Sequence, residues 1–302
     1  MGAVNEPDPP PAAFDRLIAF TLPDRDGRGR AVRLGPVLEE ILAAHDYPPA
    51  IKYLLAEALV LTALMGGLLK SEGSQLTMQA QSQDAIVELL VCDFLDGALR
   101  GYVKHDAARI DELGVDPSLP TMFGKGALTL TFDFAQTGQR YQGVVPLEGH
   151  SLAAAVEHYF ARSEQVPTLI RTAVQLDRQG AVGGGLLVQH FPRSEDGGER
   201  LHVRESGEDW QHIEAIAGSI QADELVDVTL ALHDIVWRLF HEEREIRSQP
   251  TIELARGCRC STEHFEQVLA RFPKKDRRDM RDENGVILVD CAFCSRSFPI
   301  QD

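Results

Sequence analysis

Four of the five cysteines in this 302-residue chain stand in two close pairs near its C-terminal end. Cys258 and Cys260 form a C-x-C motif, and Cys291 and Cys294 form a C-x-x-C motif after thirty intervening residues. In an extended segment, side chains two residues apart point to the same face, so Cys258 and Cys260 can bind one ion together. A turn over the C-x-x-C motif presents Cys291 and Cys294 in the same way. Four thiolates suit a tetrahedral zinc ion, and soft sulfur does not favour magnesium or calcium. The spacing predicts one zinc ion per chain in the reduced state.

The role of such a site has two interpretations. The ligand type leaves an iron–sulfur cluster open as another occupant, and the common role of four-cysteine zinc is a structural clip. A redox role is favoured by the C-x-C pair, because a disulfide between Cys258 and Cys260 would be strained and readily reduced again.

Residues 1–13 contain no basic start and no apolar run. We therefore expect no secretory signal and a cytoplasmic location, where thiols stay reduced.

The composition argues against nucleic acids and membranes as partners. The chain has 46 acidic residues against 30 basic ones and a net charge of −16, whereas phosphate backbones are bound by surfaces rich in Lys and Arg. The longest apolar stretch, residues 54–69, contains Glu57 and is short for a bilayer. We expect it to be a buried helix. No arrangement of nucleophile and base stands out, and we expect no enzymatic activity.

The hydrophobic pattern predicts an α+β protein with helices on a mostly antiparallel sheet, a helical linker and a small C-terminal zinc-binding domain. The predicted divisions are a disordered lead-in at 1–13, a core domain at 14–194, a linker at 195–257 and the cysteine domain at 258–302. Pro48 and Pro49 suit a helix start, and Ser151 suits a helix N-cap. The predicted strands lie within 14–34 and at 76–81, 85–94, 98–105, 126–134, 140–147, 168–177 and 183–191, and the predicted helices lie at 34–45, 48–70 and 151–163.

The predicted linker combines charge with an apolar stripe. Residues 195–250 hold fourteen acidic and five basic residues. One helix over 223–243 would align five apolar residues on a face that needs a partner surface: Leu225, Val228, Leu232, Ile235 and Leu239. Because like charges repel, the compact state of this segment is weakened. We expect a linker that its neighbours hold folded.

The last 45 residues or so are close to the lower size limit for independent folding. A helix is predicted at 262–272 and a strand at 286–291, and such a small domain needs a metal or disulfides to compensate for a thin core. Structural zinc contributes roughly 10–16 kcal/mol, about as much as the whole stability of a typical domain. Oxidation of the ligands would eject the ion and unfold this domain. The thiols would then act as a folding switch.

Several segments together resemble the family of the 33-kDa chaperonin, heat shock protein 33, a redox-regulated holdase. They are "YFARSEQVPT", "GGGLLVQHFP", "FGKGALTLTFD" with "YQGVVPLEGHSLA", "DELVDVTLALHDIVWRLFHEE" and "CRCSTE" with "CAFC". The resemblance covers about Phe14 to Phe298. It implies that Cys258, Cys260, Cys291 and Cys294 bind zinc when reduced, and that oxidation forms the disulfides Cys258–Cys260 and Cys291–Cys294. It further implies loss of zinc, unfolding of the linker, a homodimer and binding of unfolding client proteins.

Two other functions compete with this interpretation. A zinc-clipped module that binds RNA or ribosomes would need a basic surface, which the net charge disfavours. A thiol–disulfide oxidoreductase would use Cys291 and Cys294 as a dithiol, but the βαβ context of such motifs is missing there. Cys92 lies in an apolar strand and is expected in the core. His264 could replace a cysteine as ligand, although four sulfurs already complete the shell.

Overall fold

The structure, a computed structural model, describes residues 14–114, 117–178, 180–191 and 207–301. The predicted lead-in at 1–13 and the first part of the predicted linker, up to residue 206, lie outside the described residues. Within the described ranges the strands are β1 (Arg16–Leu22), β2 (Gly27–Leu34), β3 (Gln75–Gln81), β4 (Val87–Leu95), β5 (Ala98–His105), β6 (Ala127–Phe134), β7 (Gln139–Pro146), β8 (Thr168–Asp177), β9 (Gly180–His190), β10 (Arg247–Ser248), β11 (Ile252–Glu253), β12 (Ala255–Arg256), β13 (Val286–Asp290) and β14 (Ser297–Gln301).

The helices in the described ranges are mostly short. They are α1 (Pro36–Leu42), α2 (Pro49–Gly66), α3 (Leu119–Phe123), α4 (Leu152–Tyr159), α5 (Gly207–Gly218), α6 (Ala222–Val226), α7 (Leu232–Phe240), α8 (Thr262–Leu269) and α9 (Lys274–Asp279). The α4 helix has the predicted N-cap, because the Ser151 hydroxyl accepts a hydrogen bond from the Ala154 amide at 3.2 Å. A π-helical turn, Phe160–Glu164, follows α4 within the predicted helix 151–163.

Two six-stranded sheets form the core. The first has the order β10-β1-β2-β9-β8, with β11 also paired to β1, and all of these pairs are antiparallel. The second has the order β12-β5-β4-β3-β6-β7 and is antiparallel except for the parallel pair of β12 and β5. A third sheet is the hairpin of β13 and β14. The predicted α+β class with a mostly antiparallel sheet is confirmed.

Helix α2 lies between the two large sheets and contacts strands of both. It starts at Pro49, as the proline pair predicts, and Leu55, Leu59 and Leu64 on it are fully buried. By length and composition alone α2 could cross a membrane, but most of it is enclosed by the protein, as in the core helix of a globular domain. The predicted buried helix is confirmed.

The other face of the first sheet is covered by α5, α6 and α7, and we call it the linker-covered face. Its sheet side is formed by Ile18, Phe20, Leu22, Ala31, Leu169, Ala173, Leu186 and Val188. The buried helix residues that pack on it are Ile213, Ala217, Leu225, Leu232, Ile235, Val236 and Phe240. Gly184 on β9 allows the closest approach, because a Cβ atom there would lie 2.1 Å from the Leu225 carbonyl oxygen.

The single helix predicted over 223–243 is wrong, because the chain breaks between α6 and α7. The Asp227 carboxylate accepts hydrogen bonds from the amide and the hydroxyl of Thr229, at 2.8 and 2.7 Å. This local turn competes with the helical hydrogen bonds. Val228, predicted in the buried stripe, is 41% exposed as a result. Leu225, Leu232 and Ile235 are buried as the stripe requires.

Residues 247–256 connect the first sheet to the second. Strands β10 and β11 pair with β1, and β12 then pairs with β5. The chain continues from β12 directly into the C-x-C motif. The Gly257 amide donates to the Leu99 carbonyl at 2.8 Å. A Cβ atom at Gly257 would lie 2.4 Å from the Cβ of Ala98, so this close approach requires glycine. The linker is therefore joined edge-on to both sheets of the core.

The C-terminal domain consists of α8, α9 and the β13–β14 hairpin. The predicted helix at 262–272 and strand at 286–291 are found as α8 and β13, and the second strand β14 was not anticipated. Its apolar core is small: Leu269, Ile287 and Ile300 are buried, with Phe265, Val289 and Phe298 partly buried around them. Three buried apolar side chains contribute little towards the stability of a domain.

Candidate metal centre

The four C-terminal thiols meet in one cluster. The sulfur atoms of Cys258, Cys260, Cys291 and Cys294 all lie within 4.8 Å of one another. The Sγ–Sγ distance is 3.3 Å from Cys258 to Cys260, 3.6 Å from Cys258 to Cys291 and 3.5 Å from Cys260 to Cys294. All four side chains are free thiols. The fold thus brings together two motifs that are thirty residues apart in the sequence.

These separations fit a metal ion bound by four sulfurs. Tetrahedral zinc with bonds of about 2.3 Å places its sulfur ligands about 3.8 Å apart. The observed distances of 3.3 to 3.6 Å are close to that value. His264 is not part of the cluster: it lies on α8 with its ring 5.4 Å from that of Phe265. The cysteine cluster can hold a metal ion, and zinc as that ion remains a prediction.

Local backbone structure fixes each pair. Cys258 follows β12 and the close contact at Gly257, and Cys260 precedes α8, whose N-cap Ser261 accepts from the His264 amide at 3.1 Å. Cys291 follows β13 and donates its amide to the Arg296 carbonyl at 2.9 Å. The Ser295 amide returns to the Cys291 carbonyl at 2.8 Å, and this tight turn presents Cys294 beside Cys291.

Arg296 is the polar group that most affects the thiols. Its guanidinium lies 3.3 Å from the sulfur of Cys260 and also donates to Cys294. Burial raises the pKa of Cys258 and that of Cys291. Burial also acts to raise the pKa of Cys294, but hydrogen bonds from the Arg296 amide and guanidinium outweigh it and lower that pKa to about 6. Arg296 therefore favours deprotonation of Cys294, whereas burial disfavours it at Cys258 and Cys291.

The residues inside the two motifs contact the core domain. Arg259, between the first two cysteines, donates to the Asp93 carboxylate at 2.9 Å and to the Gln75 side chain at 3.0 Å. Phe293, between the second two, has its ring centroid 4.0 Å from the Arg100 guanidinium carbon and 4.9 Å from the Tyr102 ring. Sequence reasoning missed all of these contacts. The one signal was an acidic residue, Asp93, directly after Cys92 in an apolar strand.

Cys92 is separate from the cluster. It lies on β4 and is fully buried, and burial raises its pKa. Its expected place in the core is confirmed. Its pKa and burial both make it a poor nucleophile, because the thiolate is the reactive form of cysteine.

Two large sheets, helices that cover one of them and a C-terminal cluster of four thiols define an α+β protein that can hold a metal ion. The chain belongs to the Hsp33 family, whose model, described as Hsp33 protein, matches residues 15–301. The resemblance seen in the sequence is thereby confirmed. Family membership supports a chaperone function for this protein.

Curated relatives from several bacteria carry the name 33 kDa chaperonin. The protein of Caulobacter vibrioides is 38% identical over 294 residues, covering 95% of this chain and 94% of the relative. That of Pseudomonas aeruginosa is 36% identical, covering 94% and 91%. That of Yersinia pestis is 33% identical with the same coverage, 94% and 91%.

A solved structure has the same fold. The crystal structure of the 33 kDa chaperonin, heat shock protein 33 homolog, from Thermotoga maritima matches with a TM-score of 0.76 at 24% identity. The match covers 95% of each chain. The fold described above is thus found in an experimentally determined protein over nearly the whole chain.

Proposed function

We propose that this protein is a redox-regulated holdase of the cytoplasm. In the reduced state Cys258, Cys260, Cys291 and Cys294 bind one zinc ion, and the linker covers the first sheet. On oxidation each cysteine pair forms a disulfide, Cys258–Cys260 and Cys291–Cys294. Each pair gives two electrons to an oxidant such as hydrogen peroxide, which is reduced to water, and the zinc ion is released. The linker then unfolds, and the protein, as a homodimer, binds unfolding clients without enzymatic turnover and without nucleic acid or membrane.

The observation that carries this proposal is the contrast between the thiol cluster and the core of its domain. Four sulfurs lie within 4.8 Å of one another in a domain with three buried apolar side chains. Structural zinc contributes roughly 10–16 kcal/mol, as much as the stability of a typical domain. Because so little other cohesion is present, oxidation of the ligands is expected to unfold the domain.

The linker supports the second step. Residues 247–256 pair with the core through three two-residue strands and lead directly to Cys258. Unfolding of the cysteine domain removes the anchor at one end of this segment. Local opening requires the least free energy where few contacts hold a segment, so the linker is expected to open next.

Opening of the linker would produce a client-binding surface. The linker-covered face carries large apolar side chains, among them Phe20, Leu186 and Val188, which are buried in one cluster with residues of α5 to α7. The helices would expose Ile213, Ile235 and Phe240 in turn. A contiguous apolar surface of this kind binds the exposed apolar segments of unfolding proteins.

A client-aggregation assay tests the proposal. A chemically unfolded client is diluted into buffer with the reduced zinc-loaded protein or the oxidised zinc-free protein, and light scattering is followed. The oxidised form is expected to suppress scattering at near-stoichiometric amounts, and the reduced form is not. The Cys92→Ala variant should behave like the unmodified protein, because Cys92 is outside the cluster. Equal suppression by both redox forms would overturn the switch.

A second candidate function is thiol–disulfide exchange. The lowered pKa of Cys294, in a C-x-x-C motif, is a property of attacking thiols in such enzymes. The motif lies at a β-hairpin turn between β13 and β14, whereas oxidoreductase motifs sit in a βαβ unit. Catalytic reduction of insulin disulfides would support this candidate, and the holdase predicts no turnover.

A further inference from the structure

The contacts between the cysteine motifs and the core converge on one buried carboxylate. Asp93, on β4, is 4% exposed. Its Oδ2 atom accepts from the Arg259 guanidinium at 2.9 Å and from the Arg100 guanidinium at 2.5 Å, and its Oδ1 atom accepts from the Thr77 hydroxyl at 2.7 Å. Charge-assisted hydrogen bonds to a buried carboxylate are among the strongest in proteins. Asp93 therefore links the core to the C-x-C motif directly.

The same carboxylate is linked to the C-x-x-C motif through Arg100. The Arg100 guanidinium carbon lies 4.0 Å from the centroid of the Phe293 ring, and the Tyr102 ring meets Phe293 edge-on at 4.9 Å. A guanidinium over an aromatic face is held by cation–π attraction. Arg100 is oriented for this contact by Asp93, with its Nε atom 2.7 Å from Oδ2.

We infer that Asp93 is the docking point of the metal centre: one carboxylate holds Arg259 of the first cysteine pair directly and Phe293 of the second through Arg100. Rearrangement of either pair then weakens the same contact. Formation of a Cys258–Cys260 disulfide would draw together two sulfurs now 3.3 Å apart and change the backbone at Arg259 between them. Loss of the metal's hold on Cys291 and Cys294 would free the turn that carries Phe293.

The consequence is that docking and metal retention stabilise each other. A cysteine domain held against β4 and β5 keeps its four sulfurs together, and a metal-bound domain presents Arg259 and Phe293 to the core. Removal of one contact should therefore increase metal loss even in the absence of oxidant. The significance of this contact rests on the proposed switch, but its existence can be tested in the reduced protein alone.

The test compares Asp93→Asn, Arg259→Gln and the double variant in the full-length reduced zinc-loaded protein. Asp133→Asn is the matched control, because Asp133 forms a cross-strand ion pair on the same sheet, at 2.6 Å, with Arg140, which lies outside both cysteine motifs. The rate of zinc transfer to a coloured chelator is expected to rise about tenfold in each single variant. Zinc transfer from the double variant should be less than tenfold faster than from the faster single variant. The control should transfer zinc at the rate of the unmodified protein.

Hydrogen exchange provides a readout that does not depend on the metal assay. The amides of Ala255 and Gly257 donate to the carbonyls of Gly97 and Leu99 at 3.0 and 2.8 Å, so they report docking directly. They should exchange faster in Asp93→Asn and Arg259→Gln. Arg259→Gln leaves the core residues unchanged. If this variant transferred zinc and exchanged its amides at the rates of the unmodified protein, the inference would be overturned. Failure of the holdase assay would leave these results intact, so the two failures are distinguishable.

Discussion

The guanidinium of Arg33, on β2, binds the backbone carbonyl of Leu225 at the end of α6, with its Nε and Nη2 atoms 3.2 and 3.1 Å from that oxygen. A third nitrogen of Arg33 binds the carbonyl of Leu230 in the turn before α7. Arg33 is fully buried in the linker-covered face. One core side chain thus satisfies carbonyls at the break in the linker, where helical hydrogen bonds are missing.

The first prediction concerns this contact. Arg33→Met should destabilise the docked linker by about 1–3 kcal/mol, because it leaves buried carbonyls without a donor. The two tryptophans of the chain, Trp210 in α5 and Trp237 in α7, report the linker by fluorescence during urea unfolding. The control is Arg28→Gln on the same strand, where Arg28 donates to Gln189 at 2.9 Å. Identical urea midpoints for both variants would contradict the role of Arg33.

The second prediction concerns stoichiometry. The reduced protein should contain one zinc ion and five free thiols per chain, since Cys92 is buried outside the cluster. After peroxide treatment it should contain no zinc and one free thiol. Metal analysis and thiol titration in denaturant measure both numbers. Three remaining thiols would show that only one pair oxidises.

The third prediction concerns Arg296. In the folded arrangement hydrogen bonds from Arg296 lower the pKa of Cys294 to about 6 against the effect of burial. Because removal of the metal is expected to unfold this domain, Cys294 in reduced, metal-free protein should be alkylated with the pH profile of an ordinary thiol, and Arg296→Gln should leave that profile unchanged. Peptide mass spectrometry after a timed pulse of iodoacetamide measures each thiol. A Cys294 profile that stays lowered without metal, and that Arg296→Gln moves upward, would contradict the unfolding of the domain.

The fourth prediction concerns the pH dependence of core stability. Burial of Glu57 on α2 raises its pKa to about 7, above its usual 4.5, although hydrogen bonds from Ala153 and Thr172 oppose the shift. A carboxyl with a raised folded-state pKa binds its proton more tightly when folded. The contribution of Glu57 to the free energy of unfolding is therefore full below pH 4.5 and is lost as the pH rises through about 7.

The matched variants for this effect are Glu57→Gln and Glu72→Gln. The Glu57→Gln variant should lose less stability than the unmodified protein between pH 5 and pH 8, because an amide cannot ionise. Glu72 is exposed, and its replacement should leave the pH dependence unchanged. Thermal unfolding of the reduced protein at each pH measures the difference. Parallel curves for all three proteins would contradict a buried titration at Glu57.

The elements that sequence reasoning placed well are those with a strong local pattern. The predicted strands 76–81, 98–105 and 126–134 correspond to β3, β5 and β6, because alternation encodes one buried face. The cysteine cluster could be predicted equally well, because the spacing of the four thiols indicates their chemistry. The buried helix α2 followed from its continuous apolar run.

The missed features depend on partners distant in the sequence. The strands β10 to β12 have two residues each and form only because β1 and β5 offer free edges. The apolar spacing over 223–243 predicts one helix, because that spacing carries no information on the turn at Asp227. The link from Asp93 to Arg259 joins residues 166 positions apart. The local pattern offers only an acidic residue in an apolar strand and does not indicate its partner.

The most direct measurement of the central claim is hydrogen exchange of residues 258–301 in reduced protein before and after a chelator removes the metal. We expect protected amides in β13 and β14 with metal bound. Without metal we expect that protection to be lost, while β3 to β6 of the core stay protected. Retention of the β13–β14 protection in the metal-free protein would contradict the claim that sulfur–metal bonds hold this domain together.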